Sequence, residues 1–224
     1  MKIGIIIAMD VEYRQMEQLL GGKSEGRLGK NDIVLWQCGI GKVNAAIGTM
    51  LLIQQHHPDC IISTGLAGGI DAEMRVMDVL VASELMYHDV WCGEGNEYGQ
   101  VQGCPARYEA DPTLLRLAME LSSTSDRRVV KGLLCTGDKF ITNRDEQAAI
   151  KRQIPQGLAV DMESTAIAQT CYLQKVPFLT IRIISDTPGN TDNHQQQWSD
   201  FLASMCDRSF QWVSQYLNVL PEQI

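Results

Sequence analysis

The chain has 224 residues, 45% of them hydrophobic, and a formal net charge of −8. That length fits one large α/β domain better than two and carries ample apolar material for a core. The acidic balance, with only Arg127-Arg128 and Lys151-Arg152 as isolated basic pairs, argues against a nucleic-acid partner or an acidic membrane surface.

In chain order, Lys2 to Ala8 reads as a central buried strand, and Asp10 is placed to cap a helix running through Leu20 and closed by Gly21-Gly22. Ile33 to Gln37 reads as a second strand. The Gly-rich turn from Cys38 to Asn44 then enters a helix from Ala45 to Gln55, ended by His56-His57 before Pro58. This turn fits either a tight strand-to-helix connection or an anion cradle, and it is neither a P-loop nor a dinucleotide fingerprint. Cys60 to Thr64 is a third strand ending in Gly65-Leu66-Ala67-Gly68-Gly69, and Val79 to Ala82 is a fourth. Tyr87-His88-Asp89 follows a further short extended piece. Trp91 to Asp111, rich in Gly, Pro and polar residues, reads as a long loop of the kind that is functional or packs on a partner. Pro112 to Leu121 is a helix opened by proline, Val129 to Cys135 a strand, and Trp198 to Leu217 a final amphipathic helix.

Seven cysteines are scattered without a CxxC spacing, which points to reduced thiols in a cytosolic protein. The four histidines show no metal-ligand spacing, so no metal is implied. The apolar run Ile3 to Met9 is too short to span a membrane and lacks the features of a secretory signal.

The stretch Leu158 to Asp186 concentrates the chemistry. Its short apolar run Leu158-Ala159-Val160 is followed by Asp161 and Glu163 on either side of Met162. A small-residue helix from Ser164 to Thr170 and a strand from Val176 to Ile184 ending in Ser185-Asp186 complete it. The pattern is strand, helix, strand with acids at both carboxyl ends, where open α/β sheets place a ligand crevice. Helix capping fits either acid of the first pair equally well. Arg182, embedded in the apolar strand, needs a partner if buried, and Asp186 stands four residues on.

Together, KIGIIIAMDVE, CGIGKVNAA, ISTGLAGG, YHD, EYGQ, TGDKFI, AVDMESTAIAQ and IRIISD resemble, in order and over about the whole chain, 5′-methylthioadenosine/S-adenosylhomocysteine nucleosidase. The resemblance implies a three-layer, nucleoside phosphorylase-like α/β fold, with a mixed central sheet of some barrel character flanked by helices. It further implies a cytoplasmic homodimer acting on a small adenosine-type nucleoside in methionine salvage, with no cofactor. On this resemblance Glu12 is the base that activates water and Arg182 helps place that water. Glu163 holds the ribose hydroxyls over Met162, and Asp186 hydrogen-bonds purine N7. Phe140, Ile141 and Val160 hold adenine, and Met9, Ser185 and Trp198 complete the substrate-binding set. Such a cleavage passes through an oxocarbenium-like sugar, and adenine leaves well only if protonated, so the N7 acid has to hold a proton near neutral pH.

Related phosphorylases carry arginines at the first-strand loop and on the strand before the GxxGG turn. Here those places hold Glu12 and a strand, Cys60 to Thr64, without a cation, so water is the expected nucleophile. The chain departs from the family at Leu66, where Ser is usual, at Asp161, where Glu is usual, and at Trp91 to Asn96, which is shorter and more polar. These departures leave the adenine and ribose ends intact. They keep two alternatives open: a purine nucleoside hydrolase with another 5′ substituent, of 5′-deoxyadenosine or futalosine type, and a nucleoside-binding paralogue without turnover.

Overall fold

The computed structural model describes residues 1–187, 194–204 and 210–224. Their strands are β1 (Lys2–Ile7), β2 (Glu25–Leu28), β3 (Asn31–Gln37), β4 (Cys60–Gly69), β5 (Val79–Tyr87), β6 (Tyr108–Glu109), β7 (Val129–Thr136), β8 (Gly157–Asp161) and β9 (Phe178–Asp186). Their helices are α1 (Asp10–Leu19), α2 (Lys42–His56), α3 (Pro112–Ser122), α4 (Arg144–Gln153), α5 (Ser164–Gln174), α6 (His194–Ser204) and α7 (Gln211–Val219).

The strands form one mixed sheet in the order β2-β3-β1-β4-β8-β7-β5-β6, while β9 pairs with both β4 and β5. That second pairing closes β4, β8, β7, β5 and β9 into a five-stranded barrel. Side-chain alternation explains the layers. On β1, Ile3, Ile5 and Ile7 face a core shared with Met16 of α1, Leu114 of α3 and Trp212 of α7. Ile6 faces the opposite core, with Leu52 of α2 and Ile167 of α5. A strand buried on both faces has to read as a nearly continuous apolar run, as this one does.

Several expectations change. Met9, not Asp10, is the N-cap of α1, and the Asp10 carboxylate pairs instead with Arg14 one turn on, at 2.8 Å. The third strand runs through its glycines to Gly69, because β9 and β8 supply the hydrogen-bonding partners there. Val79 to Tyr87 is one strand with a register shift rather than two pieces. The long loop contains the short β6, paired with β5. The final helix is two, α6 and α7, with Phe210 capping the second; residues 205–209 of the expected span, including Cys206, lie outside the described residues. The six described cysteines are free, and burial pushes the Cys60 and Cys135 thiols up to about 12. Among the described residues no helix is long and apolar enough to cross a membrane.

Candidate active site

Register is what gathers the acids. Gly68 on β4 lies opposite Asp186 on β9 and opposite Val160 on β8, so the carboxyl ends of β8 and β9 meet at one place. The first turn of α1 brings Glu12 there from the end of β1. The result is a cavity of about 450 Å³, a volume that suits a nucleoside-sized ligand, with mostly apolar walls and a few convergent polar groups.

Of the residues singled out in the sequence, Met9, Glu12, Phe140, Ile141, Val160, Met162, Glu163, Asp186 and Trp198 stand on this wall. Phe140 meets Trp198 edge-to-face, with ring centroids 5.6 Å apart. Arg182 and Ser185 are not part of the wall; both are buried directly behind it. The wall also includes Asp161 and Leu66, which the sequence marks as a strand-end acid and as a departure from the family, and Ile40, Lys139 and Leu202, which carry no functional pattern of their own. Leu202 arrives on α6, and Ile40 sits in the Gly-rich turn ahead of α2.

Glu12 is 3% exposed. Its Oε1 accepts the Leu66 backbone N–H at 2.8 Å and its Oε2 accepts the Met9 N–H at 3.1 Å. A side chain at Gly65 would place Cβ 2.9 Å from Oε1, so only glycine lets the backbone come this close. Burial dominates these favourable contacts and pushes the Glu12 carboxyl up to about 7, with Arg182 pulling the other way.

Glu163 is the N-cap of α5, but its carboxylate does not cap that helix. Its Oε1 accepts the Gly41 N–H at 2.8 Å, at the start of α2. The same turn is pinned by the Lys42 N–H donating to Asp138 Oδ1 at 2.8 Å and by Lys42 Nζ between Asp89 and Asp138. Burial first and the neighbouring Asp161 second raise the Glu163 carboxyl to about 7. Asp186 is 2% exposed and lies 2.6 Å from Ser185 Oγ, which also reaches the Ala67 carbonyl at 3.2 Å.

The partner of Arg182 is Asp161, not Asp186. Nε donates to Asp161 Oδ2 at 3.0 Å in a pair that is almost wholly buried. In a strand, residues four apart point the same way but stand roughly 13 Å from each other, too far for a direct pair. Asp161 is not the N-cap of α5, a position held by Glu163, although its carboxylate accepts the Ser164 N–H at 3.3 Å. Among the described residues no three His, Cys, Asp or Glu side chains gather as metal ligands.

Similarity to known proteins extends over most of the chain. The phosphorylase superfamily model matches residues 2–218. A 5′-methylthioadenosine/S-adenosylhomocysteine nucleosidase of Staphylococcus epidermidis is 41% identical, covering 82% of this chain and 86% of its own. One from Haemophilus influenzae is 40% identical, covering 90% and 92%. Among solved structures, the Neisseria meningitidis nucleosidase in complex with methylthio-immucillin-A superimposes with a TM-score of 0.91 at 32% identity, over 98% of this chain and 99% of that one. The Colwellia psychrerythraea nucleosidase in complex with adenine gives 0.91 at 36% identity, over 100% and 97%. A strand-end cavity carrying buried acids, on a fold and sequence shared over nearly the whole chain, makes this protein a member of the 5′-methylthioadenosine/S-adenosylhomocysteine nucleosidase family within the phosphorylase superfamily.

Proposed function

We propose that the chain, working as one nucleoside phosphorylase-like domain, hydrolyses the N-glycosidic bond of 5′-methylthioadenosine, S-adenosylhomocysteine or both, releasing adenine and the 5′-thioribose. The observation that carries this reading is the single cavity wall on which Glu12, Glu163 and Asp186 stand together.

Water attacks the anomeric carbon as the bond to adenine N9 breaks, and the bonding electrons leave with the base. Asp186 supplies the proton or hydrogen bond that N7 needs, and Glu12 takes the proton lost by water. A Glu12 carboxyl near 7 suits that task, since a base works best with its pKa close to the operating pH. Glu163 accepts the ribose hydroxyls, and their donation favours its ionised form. Met162 packs under the sugar. Phe140, Ile141 and Val160 enclose adenine, while Met9 and Trp198 line the remaining wall. Arg182 holds the attacking water from behind the wall, and Ser185 steadies Asp186.

Phosphate has no comparable welcome. The cation on the cavity wall, Lys139, pairs with Glu146 at 2.7 Å, Arg182 is bound to Asp161, and the Glu12 carboxylate would repel a dianion.

The working form is a homodimer in the cytoplasm, serving nucleoside catabolism and methionine salvage. Support for the dimer is an exposed apolar line along α2, Val43, Ile47 and Leu51, one turn apart, with Tyr172 and Leu173 also exposed on α5. The line continues into Ile40, which is half-exposed and also lines the cavity, so a second copy docked there would meet the cavity mouth. The test is adenine release, followed by chromatography, from methylthioadenosine, adenosylhomocysteine and 5′-deoxyadenosine. Turnover of a thio-substituted nucleoside is expected, and absence of adenine from all three would overturn the reading.

A further inference from the structure

Asp161 is a buried carboxylate that the mechanism above leaves without a task. It lies on the cavity wall at the end of β8 and is 8% exposed. The Thr136 hydroxyl donates to its Oδ1 at 2.6 Å, and Oδ2 takes Arg182 Nε at 3.0 Å together with the Ser164 hydroxyl. Thr136 Oγ1 in turn accepts the Thr165 N–H at 2.9 Å. One carboxylate thereby ties the ends of β7 and β8 to β9 and to the first turn of α5.

Arg182 is 3% exposed. Besides Nε on Asp161, Nη2 donates to Ser63 Oγ at 3.1 Å and Nη1 to the Ile181 carbonyl at 3.3 Å. A guanidinium carries five N–H groups, so these contacts leave two uncommitted in a side chain that bulk water hardly reaches. Buried donors are normally satisfied, and among the described residues those two have no protein partner, which leaves them for an oxygen such as that of a bound water.

We propose that Asp161 is a positioning residue for hydrolysis: it fixes the Arg182 guanidinium through Nε so that the remaining N–H groups serve the attacking water, and it offsets that cation's field at Glu12. The proposal rests on the hydrolase reading above. Among the described residues, the charged and titratable groups around Glu12 are Arg182 and Asp186 on β9, Asp161 on β8, Glu163 at the start of α5 and Cys38 after β3. Of these, Arg182 pulls the Glu12 carboxyl down and Asp161 pushes it up. Replacing Asp161 by a neutral group leaves Arg182 unopposed.

The experiment is the pH dependence of kcat/KM for adenine release from methylthioadenosine by the full chain. Asp161→Asn is expected to move the acid limb down by about one pH unit, as an unopposed neighbouring cation does. It should also lower the plateau about tenfold or more, through loss of water placement. Asp161→Glu keeps the charge, so its limb should stay at the wild-type position while the plateau falls. A folded Asp161→Asn protein with an unmoved limb, or a plateau within about twofold of wild type, overturns the proposal. Should Asp161→Asn not fold, Ser164→Ala removes one donor to Asp161 and nothing from the cavity wall. It is expected to lower kcat about threefold or more with KM unchanged, and wild-type kcat would count against the role. A wild type that releases no adenine sinks the hydrolase reading. Carboxyl titration of Glu12 by NMR in wild type and Asp161→Asn then tests Asp161 by itself, a lower pKa in the variant supporting its action on Glu12 and an equal one refuting it.

Discussion

Glu12→Gln separates what the Glu12 carboxylate does for the reaction from what it does to the fold. The folded-state pKa is raised from 4.5 to about 7, mainly because the group is buried. At pH values between these two, the folded protein holds a proton that the unfolded chain has released. Stability from this group is therefore fully present below about 4.5 and is lost as pH rises through about 7. At about 1.4 kcal/mol per pH unit the loss is ~3 kcal/mol, or a fall of roughly 6–12 °C in Tm for a chain of this size. Glu163, also raised to about 7, acts in the same direction. His88, whose burial holds it neutral, has a lowered pKa and acts oppositely below its ordinary 6.5, but equally in both proteins. The assay is calorimetric unfolding of ligand-free wild type and Glu12→Gln between pH 5 and pH 8. Wild type should lose stability across that range, and the variant should lose less by ~3 kcal/mol. The same substitution should cut kcat ~10²–10⁴-fold by removing the base. Parallel pH profiles for the two proteins would show that Glu12 is not held protonated by burial, and the reasoning would fail.

Asp186→Asn should leave melting within about 2 °C of wild type and lower kcat ~10²-fold or more by removing N7 protonation, read by steady-state adenine release. Near-normal turnover would take Asp186 out of the mechanism. Gly65→Ala puts a methyl group where Glu12 Oε1 now sits 2.9 Å away, so kcat should fall while KM changes little; an unchanged kcat would mean that the base tolerates displacement. Ile47→Asp, on the exposed line of α2, should turn a dimer into a folded monomer in analytical ultracentrifugation. Wild-type behaviour in that variant would place any dimer contact elsewhere.

How much of this was legible in the sequence depended on which force shaped each part. The nearly continuous apolar run of β1 announces a strand buried on both faces, and the acids at Asp161, Glu163 and Asp186 fall at or just beyond strand ends as read. The hairpin strand β2 and helix α4 passed unseen. In α4, Ile150 is the buried side chain, so an apolar stripe is missing, although Asn143 caps the helix through the Asp145 and Glu146 N–H groups and could have flagged its start. Gly65 to Gly69 looked like a turn because glycine has poor strand propensity, yet its backbone is held by strands more than 80 residues away in sequence. The pairing of Arg182 with Asp161 had the same cause: barrel closure, not sequence spacing, sets β8 and β9 on either side of β4, where Asp161 and the guanidinium meet. Leu66 reaches the cavity wall through the same long-range register, opposite Ile183 on β9, which local patterning does not encode.

The central claim is that water, and not phosphate, receives the sugar. It is met most directly by following adenine release from methylthioadenosine in phosphate-free buffer and again with added phosphate. The arrangement of Glu12, Asp161 and Arg182 predicts equal rates and free 5-methylthioribose in both. Turnover that appears only with phosphate, with a sugar 1-phosphate as product, would contradict it.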